Sequence, residues 1–228
     1  MLYTIGDLHL SFEAEKPMDV FGSGWTNYVS RIEKGFSSLS KDDLCVICGD
    51  LSWSMSLEKS LEDFKFINNL PGKKIILKGN HDYWWSTATK VKRFFSENGI
   101  DTIDILHNNF FSYGDIALCG TRGWFYEEEK GVEHDKKILN RELMRLETSL
   151  KAAENFDTKY CFLHYPPRYN NYICNEIVEI MKNHGVSKCF FGHIHGKGHK
   201  YAVQGVIDGI EYRLISADYV DFKPVKAI

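Results

Sequence analysis

The sequence is short of several things, and each shortage excludes a class of protein. Its 228 residues include only 5 prolines, scattered along the chain, and no low-complexity tract or internal repeat. That excludes a linker-joined array or a solenoid. No window approaches the ~20 consecutive apolar residues of a membrane-spanning helix. The opening Met1-Leu2-Tyr3-Thr4-Ile5-Gly6-Asp7 has neither the basic start nor the apolar length of a secretion signal. Positive charge is not in excess either: 28 Lys and Arg against 31 Asp and Glu leave a net charge of −3. Bulk electrostatics therefore argue against an obligate nucleic-acid partner and against an anionic membrane surface. Absent too are the G-x-x-x-x-G-K-[ST] phosphate loop and the G-x-S-x-G nucleophile elbow.

What is present is an ordinary globular balance, 43% hydrophobic and 26% charged residues, at a length that suits one domain over 1–228. Of the 6 cysteines, Cys45, Cys48, Cys119, Cys161 and Cys189 lie inside apolar, strand-like runs. They read as reduced, buried thiols of a cytoplasmic protein. Cys45 and Cys48 spell C-x-x-C, but in a strand side chains three apart point to opposite faces, so their sulfurs diverge.

Short apolar runs at Leu2–Ile5, Leu44–Cys48, Lys74–Leu77, Ile116–Cys119, Lys159–Leu163 and Lys188–Phe191 read as strands. Between them lie helical patterns. Leu57, Leu61, Phe64 and Ile67 give one apolar face over 57–70, and Leu139, Leu143, Leu146, Leu150 and Ala153 give another over about 135–155. Further helices are expected over 26–39, after an N-cap at Ser86, and over 173–184. Phe110–Tyr113 with Ile116–Cys119, and Tyr201–Ile207 with Ile210–Ile215, read as hairpins around Gly-Asp and Asp-Gly turns. The pattern is α/β, with a mixed sheet divisible into two layers and covered by helices on both sides.

The informative regularity lies in the residues just past each strand: Gly6-Asp7-Leu8-His9, Gly49-Asp50, Gly79-Asn80-His81-Asp82, Gly120-Thr121-Arg122-Gly123-Trp124, His164 and Gly192-His193-Ile194-His195. Carboxyl ends of parallel strands share one edge, where ligands bind. Asp7, His9, Asp50, Asn80, His81, His164, His193 and His195 are therefore expected to converge. Imidazole with carboxylate oxygen suits borderline or hard ions such as Mn, Fe or Zn, and there are too many donors for one tetrahedral site. The D-x-H and H-x-H spacings would use the strand's period of two to aim both side chains at one face. His107, His134, His184 and His199 follow no strand end and read as ordinary surface residues.

The series G-D-x-H, G-D, G-N-H-D, H and G-H-x-H, running from Gly6 to Gly196, resembles the calcineurin-like metallophosphoesterase superfamily. G-D-L-H-L-S-F, G-D-L-S-W-S-M and G-N-H-D-Y-W-W are similar to a group of small predicted phosphohydrolases without an assigned substrate. The resemblance implies an αββα sandwich of two mixed sheets. It implies two divalent or mixed-valence transition-metal ions (Mn, Fe or Zn), one held by Asp7, His9 and His195, the other by Asn80, His164 and His193, with Asp50 between them. It implies that His81 contacts the phosphate and protonates the leaving oxygen, oriented by Asp82. Such ions lower the pKa of bound water from ~15.7 towards ~7, giving a bridging hydroxide that attacks phosphorus in line.

Departures from the family pattern narrow the expectation. Protein serine/threonine phosphatases carry glutamate after G-N-H and an arginine shortly beyond, whereas this chain has Asp82-Tyr83-Trp84-Trp85 and no arginine until Arg93. The substrate is expected to be a nucleotide or small organophosphate, as phosphodiester or phosphomonoester, with Arg122 and Arg168 as extra phosphate contacts. All 5 tryptophans follow strand ends, so Trp84 and Trp124 are candidates for stacking a flat group at ~1–3 kcal/mol per base. Self-association is left open. The alternative reading is a non-catalytic scaffold of the same fold, although every expected ligand position is filled.

Overall fold

Apolar runs too short to make a helix become strands buried on both faces. The computed structural model describes all residues except Glu15, Pro17 and 125–131. The first half of the chain alternates β1 (Leu2–Ile5), α1 (Tyr28–Phe36), β2 (Leu44–Cys48), α2 (Leu61–Asn69), β3 (Lys73–Leu77), α3 (Ala88–Glu97) and β4 (Ile103–Ile105). The second contains β5 (Phe111–Tyr113), β6 (Ile116–Thr121), α4 (Val132–Ala152), β7 (Thr158–Leu163), β8 (Arg168–Tyr169), β9 (Tyr172–Ile173), α5 (Asn175–Asn183) and β10 (Val186–Phe191). It ends with β11 (Gly205–Ile207), β12 (Ile210–Leu214) and β13 (Val225–Lys226).

Eleven of these strands make two mixed sheets, ordered β13-β1-β2-β3-β4 and β11-β12-β10-β7-β6-β5, and β8 and β9 form a separate antiparallel pair. The central strands are parallel, in register Ile5–Ile47–Ile76 in one sheet and Cys119–Cys161–Cys189 in the other. Within the two large sheets the edge strands β13, β11 and β5 run antiparallel to their neighbours. The strand period decides the layers. Val46, Cys48, Leu77, Phe162 and Phe190 meet between the sheets. Cys45 and Ile47 face α1, α2 and α3, with Phe36, Phe64 and Phe95 packed over them. Cys161, Cys189 and Phe191 face α4 and α5. The result is the αββα sandwich, and Cys45 and Cys48 do point to opposite faces. Where β1 ends, the Gly6 amide donates to the Ile215 carbonyl (2.8 Å) and the Ala217 amide to the Gly6 carbonyl (3.0 Å). These two bonds tie the sheets together beside the candidate site. No helix among the described residues is long and apolar enough to cross a membrane.

Local details differ from expectation. α3 is capped by Thr87, whose hydroxyl accepts from the Lys90 amide (3.2 Å), rather than by Ser86. α1 starts only at Tyr28 because Asn27 sits in the left-handed region (φ 55°). Tyr201 closes a short 3₁₀ turn over Gly196–Tyr201, so the last hairpin begins at Gly205. β4 and β13, each at a sheet edge, and the β8–β9 pair were not expected; two or three residues apiece carry too little pattern to read.

Candidate metal centre

The loops after β1, β2, β3, β7 and β10 meet at one edge of the sandwich. His9 Nε2 lies 3.3 Å from His195 Nε2 and 3.7 Å from Asp50 Oδ2. Asp7 Oδ1 is 3.6 Å from His195 Nε2 and 3.7 Å from His164 Nδ1. His164 Nε2 is 3.5 Å from Asp50 Oδ2 and 2.6 Å from Asn80 Oδ1, which is also 3.0 Å from His193 Nδ1. Two groups could each hold an ion, Asp7 with His9 and His195, and Asp7 with Asp50 and His164. The sequence-derived set of Asp7, His9, Asp50, Asn80, His164, His193 and His195 is thus brought into one cluster.

The local backbone differs from the strand geometry expected for D-x-H. Asp7 (φ 59°), His9 (φ 47°), Asp50 (φ 50°) and His193 (φ 71°) are all left-handed. The strands have already ended, and the side chains converge through tight loops rather than through the period of two. Such residues cost roughly 1–3 kcal/mol each, and the glycines beside them are what make the turns feasible. A Cβ on Gly79 would lie 2.1 Å from Asp50 Oδ1, and one on Gly192 would lie 2.3 Å from Asp7 Oδ2.

The charges of the site explain why it fits cations. Burial, and then the charges of Asp82 and Asp7, push the Asp50 carboxyl well above its ordinary range. Burial drives His164 down to about 4 and, with the neighbouring His164 charge, His193 down to about 3. His9 is lowered well below the usual value, first by burial and then by His195. His195 goes the other way: burial would lower it, but hydrogen bonds to Asp218 and Asp7 outweigh that and raise it to about 10. The lowered imidazoles of His9, His164 and His193 are in the neutral state that divalent metals require, whereas His195 and Asp50 would each release a proton on binding one. His164 makes the point most directly. Its Nδ1 lies 3.0 Å from the Cys48 carbonyl, which can only accept, so the ring proton belongs there. The Nε2 lone pair then faces the Asn80 oxygen at 2.6 Å. With that ring proton and amide orientation, a cation bound by both atoms would satisfy the contact.

His81 stands at the rim. Its amide donates to Asp50 Oδ1 (2.8 Å), its ring packs 4.3 Å from Trp53, and its Nδ1 is 3.4 Å from the Tyr83 hydroxyl. Asp82 behaves differently from the expected orienting role. Its two oxygens accept from the amides of Asp50, Leu51, Ser52 and Gly79 and from Trp84 Nε1. Five donors saturate a carboxylate, so Asp82 clamps the β2 and β3 loops together. Trp84 is 2% exposed and packs edge-on to Phe64, so it offers no face to a substrate; it belongs to the clamp. Arg168 pairs with Asp208 in the turn before β12, at 2.8 Å. That turn lies at the amino end of its strand, away from the site edge, so Arg168 is removed from the phosphate contacts. Arg122 does face the site region: its guanidinium rests over Trp124 (5.0 Å), and its carbonyl accepts from the His164 and Tyr165 amides.

One residue, Asp218, went unnoticed in the sequence, and the surroundings of the remaining histidines refine their reading as surface residues. Asp218 accepts from His195 Nδ1 (2.8 Å) and the Gly196 amide (2.9 Å), and lies 3.2 Å from His199 Nε2. His199 is therefore no ordinary surface histidine. Exposed His134 borders a cavity with His81. His107 and His184 pack against Trp85 and Glu147. Trp53 stacks on His9 at 5.0 Å. Asp218 follows β12 just as Asp7 follows β1, so extending the strand-end reading to the last central strand would have found it.

The comparisons decide the family. The sequence matches the calcineurin-like phosphoesterase family over residues 2–197. The chain belongs to that family. No curated protein sequence matches it. Among solved structures it is similar to a phosphopantetheinyl hydrolase of Mycobacterium tuberculosis, with 12% identity over 100% of this chain and 96% of that one and a TM-score of 0.61. It is also similar to a protein of unknown function from Aquifex aeolicus, with 18% identity over 99% and 94% and a TM-score of 0.53. A Thermus thermophilus protein matches at 11% identity over 86% and 82%, with a TM-score of 0.52. At these identities the likeness is one of fold. Family membership makes the protein a metal-dependent phosphoesterase by class.

Proposed function

We propose that this metallophosphoesterase hydrolyses a small phosphoester, a nucleotide or a related organophosphate, at a two-cation centre. The observation that carries the reading is the opposition of His164 Nε2 and Asn80 Oδ1 inside a cluster of buried carboxylates and neutral imidazoles. Asp7, His9 and His195 would hold one ion, Asn80, His164 and His193 the other, and Asp50 would serve both. When bound, divalent ions of the Mn, Fe or Zn kind make water nucleophilic near neutral pH and offset charge on the phosphoryl oxygens.

The chain's own residues supply the rest. His81, braced by Trp53 and Tyr83, sits where it can donate a proton to the departing alkoxide, a contribution of typically 10²–10⁴-fold. Asp82 holds the loops that present Asp50 and His81. Arg122 offers a cation to a phosphoryl oxygen or a neighbouring group. The phosphopantetheinyl hydrolase likeness favours a small phosphoester over a phosphoprotein. Continuous cores on both sheets support one domain over 1–228, and free, buried cysteines suit a cytoplasmic setting.

The test is hydrolysis of p-nitrophenyl and alkyl phosphoesters by protein stripped with a chelator and reloaded with Mn²⁺, Fe²⁺ or Zn²⁺. Activity should vanish on stripping and return on reloading. His81→Ala should retain bound metal and lose about 10²–10⁴ in rate on alkyl esters, with a smaller loss on nitrophenyl esters, whose leaving group needs no proton. Full activity in the stripped protein, or equal losses on both ester types, would refute this assignment.

A further inference from the structure

Two cavities open on His81, and their walls differ in kind. One, of about 520 Å³, is bounded by Met18, Phe21, Trp25 and Trp53, with Lys16 at its mouth. The other, of about 380 Å³, is bounded by Asn80, Tyr83, Arg122, Trp124 and His134. His81 belongs to both walls, so a phosphoryl group beside it would have one cavity on either hand. Each volume falls in the range that accommodates a substantial ligand fragment.

The first cavity recognises apolar bulk. Trp53 is already stacked by His9 (5.0 Å) and covered by Lys16 Nζ (3.7 Å), and Trp25 meets His9 and His195 edge-on. These indoles give apolar wall rather than an open stacking face, and Phe21, 61% exposed, extends that wall to the rim. The second cavity recognises hydrogen-bond acceptors. Glu142 accepts from Arg145 at 2.6 Å and from the Thr121 hydroxyl, and lies 3.4 Å from Arg122. Glu142 thus pairs with both arginines, more closely with Arg145, and Arg122 also lines the cavity. Among the described residues the Arg122 Nε is buried with no hydrogen-bond partner, an unmet donor of the kind a ligand oxygen satisfies.

We propose that the substrate is a phosphodiester with unlike arms: an apolar or aromatic ester group in the first cavity, and a hydroxyl-rich or anionic group held by Arg122 and His134 in the second. This rests on the phosphoesterase reading above. A monoester has one substituent and would fill one cavity only. In the reaction, water's oxygen bonds to phosphorus as the P–O bond to one arm breaks. The departing oxygen takes a proton, and an alcohol and a monoester result.

The experiment compares kcat/KM of the Mn²⁺-loaded protein on three p-nitrophenyl esters: that of thymidine 5′-phosphate, that of phosphorylcholine, and p-nitrophenyl phosphate. They share a leaving group and differ in the second arm, which is hydroxyl-bearing, cationic or absent. The thymidine ester should exceed the other two by about tenfold or more. Arg122→Gln and His134→Ala should each narrow the gap between the thymidine and choline esters, and Phe21→Ser should raise KM for the thymidine ester. His134 and Phe21 are exposed, so these variants keep the fold. Equal kcat/KM on all three esters would overturn the two-armed substrate while keeping the phosphoesterase reading. No turnover of any ester would overturn both.

Discussion

The two halves of the donor cluster use the same residue types and are supported in different ways. On the inner half, His164 is fully buried and is oriented by a main-chain carbonyl, that of Cys48 at 3.0 Å. On the outer half, the His195 side chain is 29% exposed and leans on a carboxylate, Asp218 at 2.8 Å. A carbonyl in β2 cannot move or be substituted without disturbing the sheet. A carboxylate on a loop after β12 can. The inner half is therefore specified by the fold, whereas the outer half depends on one side chain that lies beyond the family match at residues 2–197. The comparison predicts that the halves lose metal by separate routes.

Asp50→Asn should break the comparison altogether, because Asp50 Oδ2 lies 3.5 Å from His164 Nε2 and 3.7 Å from His9 Nε2. Both halves should lose affinity, by at least on the order of a hundredfold for a direct ligand, since even indirect partners are worth 10–100-fold. Hydrolysis should fall below detection. Calorimetric titration with Mn²⁺ checks this; two intact binding events in the variant would remove Asp50 from its shared place.

Asp218→Ala should separate the halves. Loss of a carboxylate behind a ligating imidazole typically costs 10–100-fold in metal affinity, and here the cost should fall on one event only. Asp218→Asn keeps an acceptor for His195 Nδ1 but loses the charge, so it should recover part of the affinity. A uniform weakening of both events would mean that the halves share their support after all.

The residues in this comparison show how far the sequence could be read. The donors were legible because each stands at the end of an apolar run, Asp7, Asp50, Asn80 and His193 directly after a glycine, and that juxtaposition survives without knowing any side-chain direction. Direction was the illegible part. The period-of-two argument for Asp7 and His9 failed because both residues turn left-handed after β1 has ended. Trp84 and Trp53 both follow strand ends, yet one is buried beneath the loop clamp and the other lines the cavity. Nothing local distinguishes them; only the packing of Phe64 beneath Trp84 does. The sandwich itself was easier, since runs such as Leu44–Cys48, apolar at every position, have no solvent face and demand cover on both sides.

Lys74 supplies the control for the smallest predicted effect. It is a buried charge surrounded by main-chain carbonyls, in contrast to the site, where buried carboxylates cluster with imidazoles. Its ammonium, 1% exposed at residue level, donates to the carbonyls of Asn68 (3.1 Å), Leu70 (2.7 Å) and Gly72 (2.8 Å), satisfying the carboxyl end of α2. Even so, burial holds it down to about 8, below the ~10.4 of an unfolded lysine. Between those values the unfolded chain binds more protons than the folded one, so this group makes stability rise as pH climbs from about 8 towards 10.4. The gain should be on the order of 1–2 kcal/mol once solvent screening is allowed for. Lys74→Met removes the titrating group, so urea unfolding at pH 7.5 and 9.5 should show a smaller rise in the variant than in the parent. Because Lys74 is remote from the donor loops, the difference should be the same in metal-loaded and metal-stripped protein. If stripping the metal altered it, the sheet beneath α2 and the donor cluster would be one cooperative unit, and the inner half of the cluster would owe its rigidity to bound ions as well as to β2.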